Sequence, residues 1–128
     1  MPEPGPLVTV LVADDNEVAQ RLCRRVLEMA GHKVLTASDG QEAVTLALAN
    51  SPDMILMDVA MPVMDGLEAM RQIKAQRPGM AIVIASAHSM ASDRERFLAA
   101  GADEVLSKPF RLTDLTAVVD RLTVNKPI

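Results

Sequence analysis

Five side chains stand at the ends of short apolar runs, and their types are complementary. Asp14 and Asp15 follow Leu7 to Ala13. Asp58 follows a run ending at Met57. Ser86 follows Ala81 to Ala85, and Lys108 follows Val105-Leu106. Taken singly, each has a plain structural reading: a helix cap, a loop-initiating aspartate, a satisfied hydroxyl, a surface lysine. Taken together they are three carboxylates, one hydroxyl and one amine. Carboxylates brought close repel and raise one another's pKa unless a cation holds them. A carboxylate-only set suits Mg²⁺, which prefers oxygen ligands, keeps waters and accepts substrate phosphate oxygens.

That chemistry requires the five residues to meet, and the periodicity supplies a way. Leu7 to Ala13 is a first strand. Glu17 to Ala30 reads as a helix with Val18, Leu22, Val26 and Met29 at helical spacing, stopped by Gly31. Lys33 to Ala37 is a second strand. Ser38-x-x-Gln41 resembles a capping box opening a helix that runs to about Asn50. Asp53 to Met57 is a third strand. Pro62 keeps the following segment out of helix at Met61. Asp65 caps a helix from Gly66 to about Arg77, with Leu67, Met70 and Ile73 inward. Ala81 to Ala85, Met90 to Ala100, Val105-Leu106 and Leu112 to about Leu122 complete the alternation, the last with Leu112, Leu115, Val119 and Leu122 on one face. Apolar strands alternating with helices indicate an α/β fold, a five-stranded parallel sheet covered on both faces and doubly wound. In such sheets ligands bind beyond the carboxyl ends of the strands, where Asp14, Asp15, Asp58, Ser86 and Lys108 stand.

Composition narrows the function classes. The 128 residues suit one domain, read over 7–124 with flexible tails at 1–6 and 125–128. A net charge of −4 argues against nucleic acid as the main partner. No apolar run approaches the roughly 20 residues of a membrane span, and the proline-rich start is no signal peptide. The single Cys23 forms no internal disulfide and reads as a buried thiol. A cytoplasmic setting is the default expectation. Only Phe97 and Phe110 are aromatic, so the core must be aliphatic.

Four segments in order, Leu-Val-Ala-Asp14-Asp15-Asn, Ile-Leu-Met-Asp58-Val-Ala-Met-Pro62-Val-Met-Asp65-Gly66, Ile-Ala-Ser86-Ala87 and Leu-Ser-Lys108-Pro109-Phe110, resemble the receiver (response-regulator) domain of two-component phosphorelays. The resemblance runs from about Val8 to Leu122. It implies a flavodoxin-like, CheY-like sheet of order 2-1-3-4-5. It implies Asp58 as phosphoacceptor, and Asp15, Asp58 and the Ala60 carbonyl as Mg²⁺ ligands, with Asp14 acting directly or through a metal-bound water. Lys108 would pair with phosphate, Ser86 would be the switch hydroxyl with the Ala87 N–H beside it, and Lys108-Pro109 would be a cis peptide. The donor would be a histidine kinase or a histidine phosphotransfer protein. The last two helices with strand five, bearing Arg94, Arg96, Arg111 and Asp114, would form the output face for a downstream protein or for a homodimer on phosphorylation.

The chain departs from the family at Val105, where many receivers carry an aromatic switch residue. Ala60 and His88, at positions that influence water access to the acyl phosphate, suggest that its lifetime is set without side-chain assistance. No enzyme is expected beyond self-catalysed phosphotransfer and autodephosphorylation. An aspartyl-nucleophile phosphohydrolase is the competing reading, and Ala60 speaks against it because that chemistry needs an acid two residues after the nucleophile. A single-domain regulator, a phosphate shuttle and a receiver module from a hybrid kinase or longer regulator all remain open.

Overall fold

The computed structural model describes residues 7–87 and 90–123. Five strands alternate with five helices: β1 (Thr9–Ala13), α1 (Glu17–Met29), β2 (Lys33–Ala37), α2 (Gly40–Asn50), β3 (Met54–Asp58), α3 (Gly66–Gln76), β4 (Ala81–Ser86), α4 (Ala91–Ala99), β5 (Glu104–Ser107) and α5 (Leu112–Thr123). The strands form one sheet in the order β2-β1-β3-β4-β5. Every neighbouring pair is parallel. The alternation read from the sequence and the strand order implied by the resemblance are both present.

Successive strand residues point to opposite faces, and the core divides accordingly. Leu11, Ile55, Met57, Ile82 and Ile84 face α2, α3 and α4, where Ala43, Ala47, Met70, Ile73 and Phe97 meet them. Val10, Val12, Met54, Leu56 and Val83 face α1 and α5, where Cys23, Leu27, Leu115, Val118 and Val119 meet them. Each large aliphatic side chain so buried contributes about 1.5–3 kcal/mol. Both layers are mainly aliphatic, with Phe97 the ring buried in the first.

Four local expectations need correction. The ladder runs one residue further than expected at β3 and β4, because Asp58 pairs with Ala85 and Ser86 with Ser107. Both chemical residues therefore sit within the sheet rather than after it. On α1 the expected inward stripe is on the wrong face: Val18, Leu22 and Met29 are exposed, while Cys23 and Leu27 are buried. The true seam lies about 100° around the helix, one residue over. The α2 cap is Asp39 rather than Ser38: its carboxylate accepts from the Glu42 N–H at 2.8 Å. Glu42 in turn accepts from the Ser38 N–H at 3.2 Å, so the reciprocal pattern survives, shifted by one. Leu112, expected on the buried face of α5, is also partly exposed. The proposed tails at 1–6 and 125–128 lie outside the described residues.

Candidate functional site

The carboxyl edge of the sheet is built strand by strand. Beyond β1, the Asp14 N–H donates to the Ala37 carbonyl at 3.0 Å, which extends the β1–β2 pairing by one bond. The Asp14 carboxylate accepts from the Asn16 N–H at 2.9 Å, and Asn16 caps α1 by accepting from the Ala19 N–H at 2.9 Å. Asp14 is consequently buried and Asp15 faces solvent.

β3 delivers Asp58, which is 9% exposed. The turn after it is sterically tight. A Cβ on Gly66 would lie 2.0 Å from the Asp58 carbonyl oxygen, and one on Gly40 would lie 2.0 Å from the Met64 carbonyl oxygen. The Gly66 N–H donates to the Val59 carbonyl at 2.9 Å, and Asp65 caps α3 through the Glu68 N–H. Within the turn Val63 takes φ 68°, a left-handed conformation unfavourable for a β-branched residue. Neither glycine contact was anticipated from the sequence. The Asp65-Gly66 pair signalled a helix start, and only the approach of the two main chains shows why glycine is needed.

β4 ends in the buried Ser86, followed by the exposed Ala87. The Lys108 N–H donates to the Ser86 carbonyl at 2.8 Å, which fixes the start of the segment after β5. The Lys108-Pro109 peptide is cis, as expected. The lysine side chain turns back across the edge. Its Nζ lies 3.0 Å from Asp14 Oδ2 and 3.3 Å from Asp58 Oδ2.

Asp14, Asp15 and Asp58 each offer a carboxylate oxygen within 4.8 Å of the others. One ammonium faces three carboxylates, and the consequences appear in the ionisation. Burial raises the Asp58 pKa above the ordinary carboxylate value; Lys108 pulls it down, and Asp14 pushes it up. Burial pulls Lys108 down, but its hydrogen bond with Asp14 and the charges of Asp14 and Asp58 more than offset that and hold it above its usual value. The donor set contains no nitrogen or sulfur ligand, and the one ammonium leaves two of its three carboxylates uncompensated. It fits a hard divalent cation of the Mg²⁺ type.

A cleft of about 360 Å³ is lined by every site residue expected from the sequence: Asp14, Asp15, Asp58, Ala60, Ser86, Ala87 and Lys108. A second, largely apolar cavity shares Asp58 and Lys108 and continues to Cys23, Phe110 and Leu112. The Cys23 thiol there is pushed up to about 11 by burial and by Asp14, against the opposing effect of Lys108, so it stays protonated near neutrality. His88 lies outside the described residues. Val105 is buried and brings no ring to the β5 switch position; its carbonyl accepts from Arg94 Nη1 at 3.2 Å. Arg94, Arg96, Arg111 and Asp114 are exposed on the expected output face, where Arg121 pairs with Glu104.

Comparison with known proteins agrees with this architecture. Residues 10–120 match the family described as response regulator receiver domain. The response regulator MprA of Mycolicibacterium vanbaalenii is 40% identical over 110 residues, covering 86% of this chain and 48% of the relative. MprA of Mycobacterium tuberculosis is 39% identical over the same length. The chain thus spans about half the length of the curated relatives it matches. Among solved structures, the receiver domain of the Francisella response regulator 1452 superposes with a TM-score of 0.87 at 31% identity, covering 91% of this chain and 96% of that one. The chemotaxis protein CheY4 of Vibrio cholerae gives 0.85 at 30% identity, with 91% and 99% covered.

Proposed function

The chain belongs to the response regulator receiver domain family, and on that premise we propose that Asp58 is its phosphoacceptor, served by Lys108, Ser86 and Ala87 and by a Mg²⁺ site of Asp14, Asp15, Asp58 and the Ala60 carbonyl. As a receiver it acts in two-component signalling and is no classical enzyme. The donor in this reading is a phosphohistidine on a histidine kinase or a phosphotransfer protein, in the cytoplasm.

An Asp58 carboxylate oxygen attacks phosphorus, and the P–N bond to the donor imidazole breaks. The electron pair returns to the imidazole nitrogen, which takes a proton from solvent, and an acyl phosphate remains on Asp58. Such transfer is mainly positioning and charge stabilisation. Mg²⁺, when bound, supplies positive charge against the phosphoryl oxygens. Lys108 is already between Asp14 and Asp58 and needs only a short movement to pair with a phosphoryl oxygen. The Ser86 hydroxyl and the Ala87 N–H donate to another. Because Ser86 closes β4, its movement toward the phosphate draws on the segment leading to α4, and the signal leaves through α4, β5 and α5 to a downstream protein or a second copy of the chain.

The observation that carries this reading is the Lys108 ammonium held at 3.0 and 3.3 Å from two of three clustered carboxylates. The test is labelling by a small phosphodonor such as acetyl phosphate. We expect one Mg²⁺-dependent label per chain, acid-stable and base-labile as an acyl phosphate is, and none in Asp58→Asn. Repeated turnover of a generic phosphate ester would instead establish a phosphohydrolase. Size-exclusion of the beryllofluoride-bound form tests the dimer, and a monomer at high concentration removes it.

A further inference from the structure

We propose that Gln20 is a positioning residue that sets the Asp14-Asp15 pair in its metal-binding geometry, a role that rests on the reading above. Gln20 lies one turn into α1. Its Nε2 donates to the Asp14 carbonyl at 2.9 Å and to the Ala37 carbonyl at 2.9 Å, with the Ser38 hydroxyl at 3.4 Å. Both strong partners are carbonyl oxygens, so the side chain must present its NH₂ group to them.

The consequence is local and geometric. The β1–β3 ladder ends at Ala13, and the β1–β2 pairing ends with the Asp14 N–H on the Ala37 carbonyl. The next carbonyl, that of Asp14, has left the sheet, and Gln20 holds it. This carbonyl belongs to the peptide plane between Asp14 and Asp15. Holding a peptide plane fixes the dihedrals on both of its sides. One amide group therefore directs the Asp14 side chain inward to Lys108 and leaves Asp15 at the open face of the same cluster. By also holding the Ala37 carbonyl, Gln20 ties this plane to the end of β2 and to the start of α1 together. The groups that orient metal ligands from behind commonly govern affinity about as strongly as tenfold or more.

Gln20→Met keeps the length of the side chain and removes the donors. The probe is Mg²⁺ alone, titrated calorimetrically with no phosphodonor. We expect a Kd about tenfold weaker than wild type, together with faster amide exchange at Asp14. His32→Ala is the control: it loses the bond from the Val8 N–H to His32 Nδ1 at the opposite edge of the sheet and should lower Tm without moving the Mg²⁺ Kd. A Kd within twofold of wild type in Gln20→Met overturns the proposal, as does an equal weakening in the control. Should Gln20→Met fail to fold, the side-chain NH₂ protons of Gln20 in the wild type decide the matter. Slow exchange with water, slowing further on adding Mg²⁺, supports the role, and exchange as fast as that of an exposed glutamine overturns it. If wild type itself binds no Mg²⁺, the receiver-site reading fails and this proposal with it. Unchanged affinity in Gln20→Met fails this proposal alone.

Discussion

The two halves of the site are restrained very differently. On the β1–β3 side, α1, α2 and α3 begin on Asn16, Asp39 and Asp65, each accepting a hydrogen bond from the first turn. Two glycine contacts lock the turn after Asp58 against neighbouring main chain. On the β4 side, α4 begins on Met90, with no side-chain cap, spans nine residues and buries only Phe97. Its Arg94 ties it to the Val105 carbonyl. Three like charges at fixed spacing demand the first kind of construction. A segment that must respond to a new charge is better served by the second, because few buried contacts and an uncapped end make rearrangement cheap. The proposed acceptor is built stiff and the proposed reporter loose, within one sheet edge.

The sharpest way to break this contrast is Gly66→Ala. Its methyl group meets the Asp58 carbonyl at 2.0 Å, so we expect a loss of about 3 kcal/mol in urea unfolding together with loss of the Asp58 label. A loss below about 1 kcal/mol would mean the turn yields, and the stiff half is not stiff. Next is Val63→Gly, which relieves the left-handed backbone at a side chain 82% exposed. It should add about 1 kcal/mol, and no gain would show that the strain is absent.

Asp58→Asn should raise Tm at pH 7 by a few degrees, since the wild type there holds a buried carboxylate whose pKa is raised by burial. The sign follows from linkage. A raised carboxylate pKa means the folded state takes up its proton before the unfolded state does. The wild type therefore gains stability as pH falls through the raised Asp58 value toward 3.8. The advantage of the asparagine should shrink over that window, and a constant difference would refute the electrostatic cause. Smallest is Met90→Asp. Met90 already has the extended φ −66° and ψ 156° of an N-cap, so a capping carboxylate should add about 0.5–1 kcal/mol. We also expect it to slow the response of α4 to phosphorylation, read as smaller amide shift changes on adding beryllofluoride.

Much of this was legible in the sequence, for identifiable reasons. Element type and order follow from apolar spacing, and the edge position of Asp14, Asp58, Ser86 and Lys108 follows from each standing at the end of a run. Reading α1 by its apolar residues failed because Val18, Leu22 and Met29 are apolar yet exposed, while the smaller Cys23 marks the seam. Spacing reveals a face, but not which face the sheet will cover. The α2 cap was misassigned by one residue because Ser38 and Asp39 are both good caps, and the end of the β1–β2 ladder decides between them. The close contacts of Gly40 and Gly66 and the anchoring bonds of Gln20 are not legible in the sequence because each involves main chain brought near by the fold.

The pair formed by Lys108 and Asp14 joins residues 94 positions apart. During synthesis the first carboxylates emerge long before the ammonium that balances them, and that ammonium arrives only when β5 has docked at the edge of the sheet. Incompletely folded copies thus hold the acidic residues without the constellation proposed to accept a phosphoryl group. If Asp58 is the acceptor proposed above, competence to take a phosphoryl group follows completion of the sheet and cannot precede it.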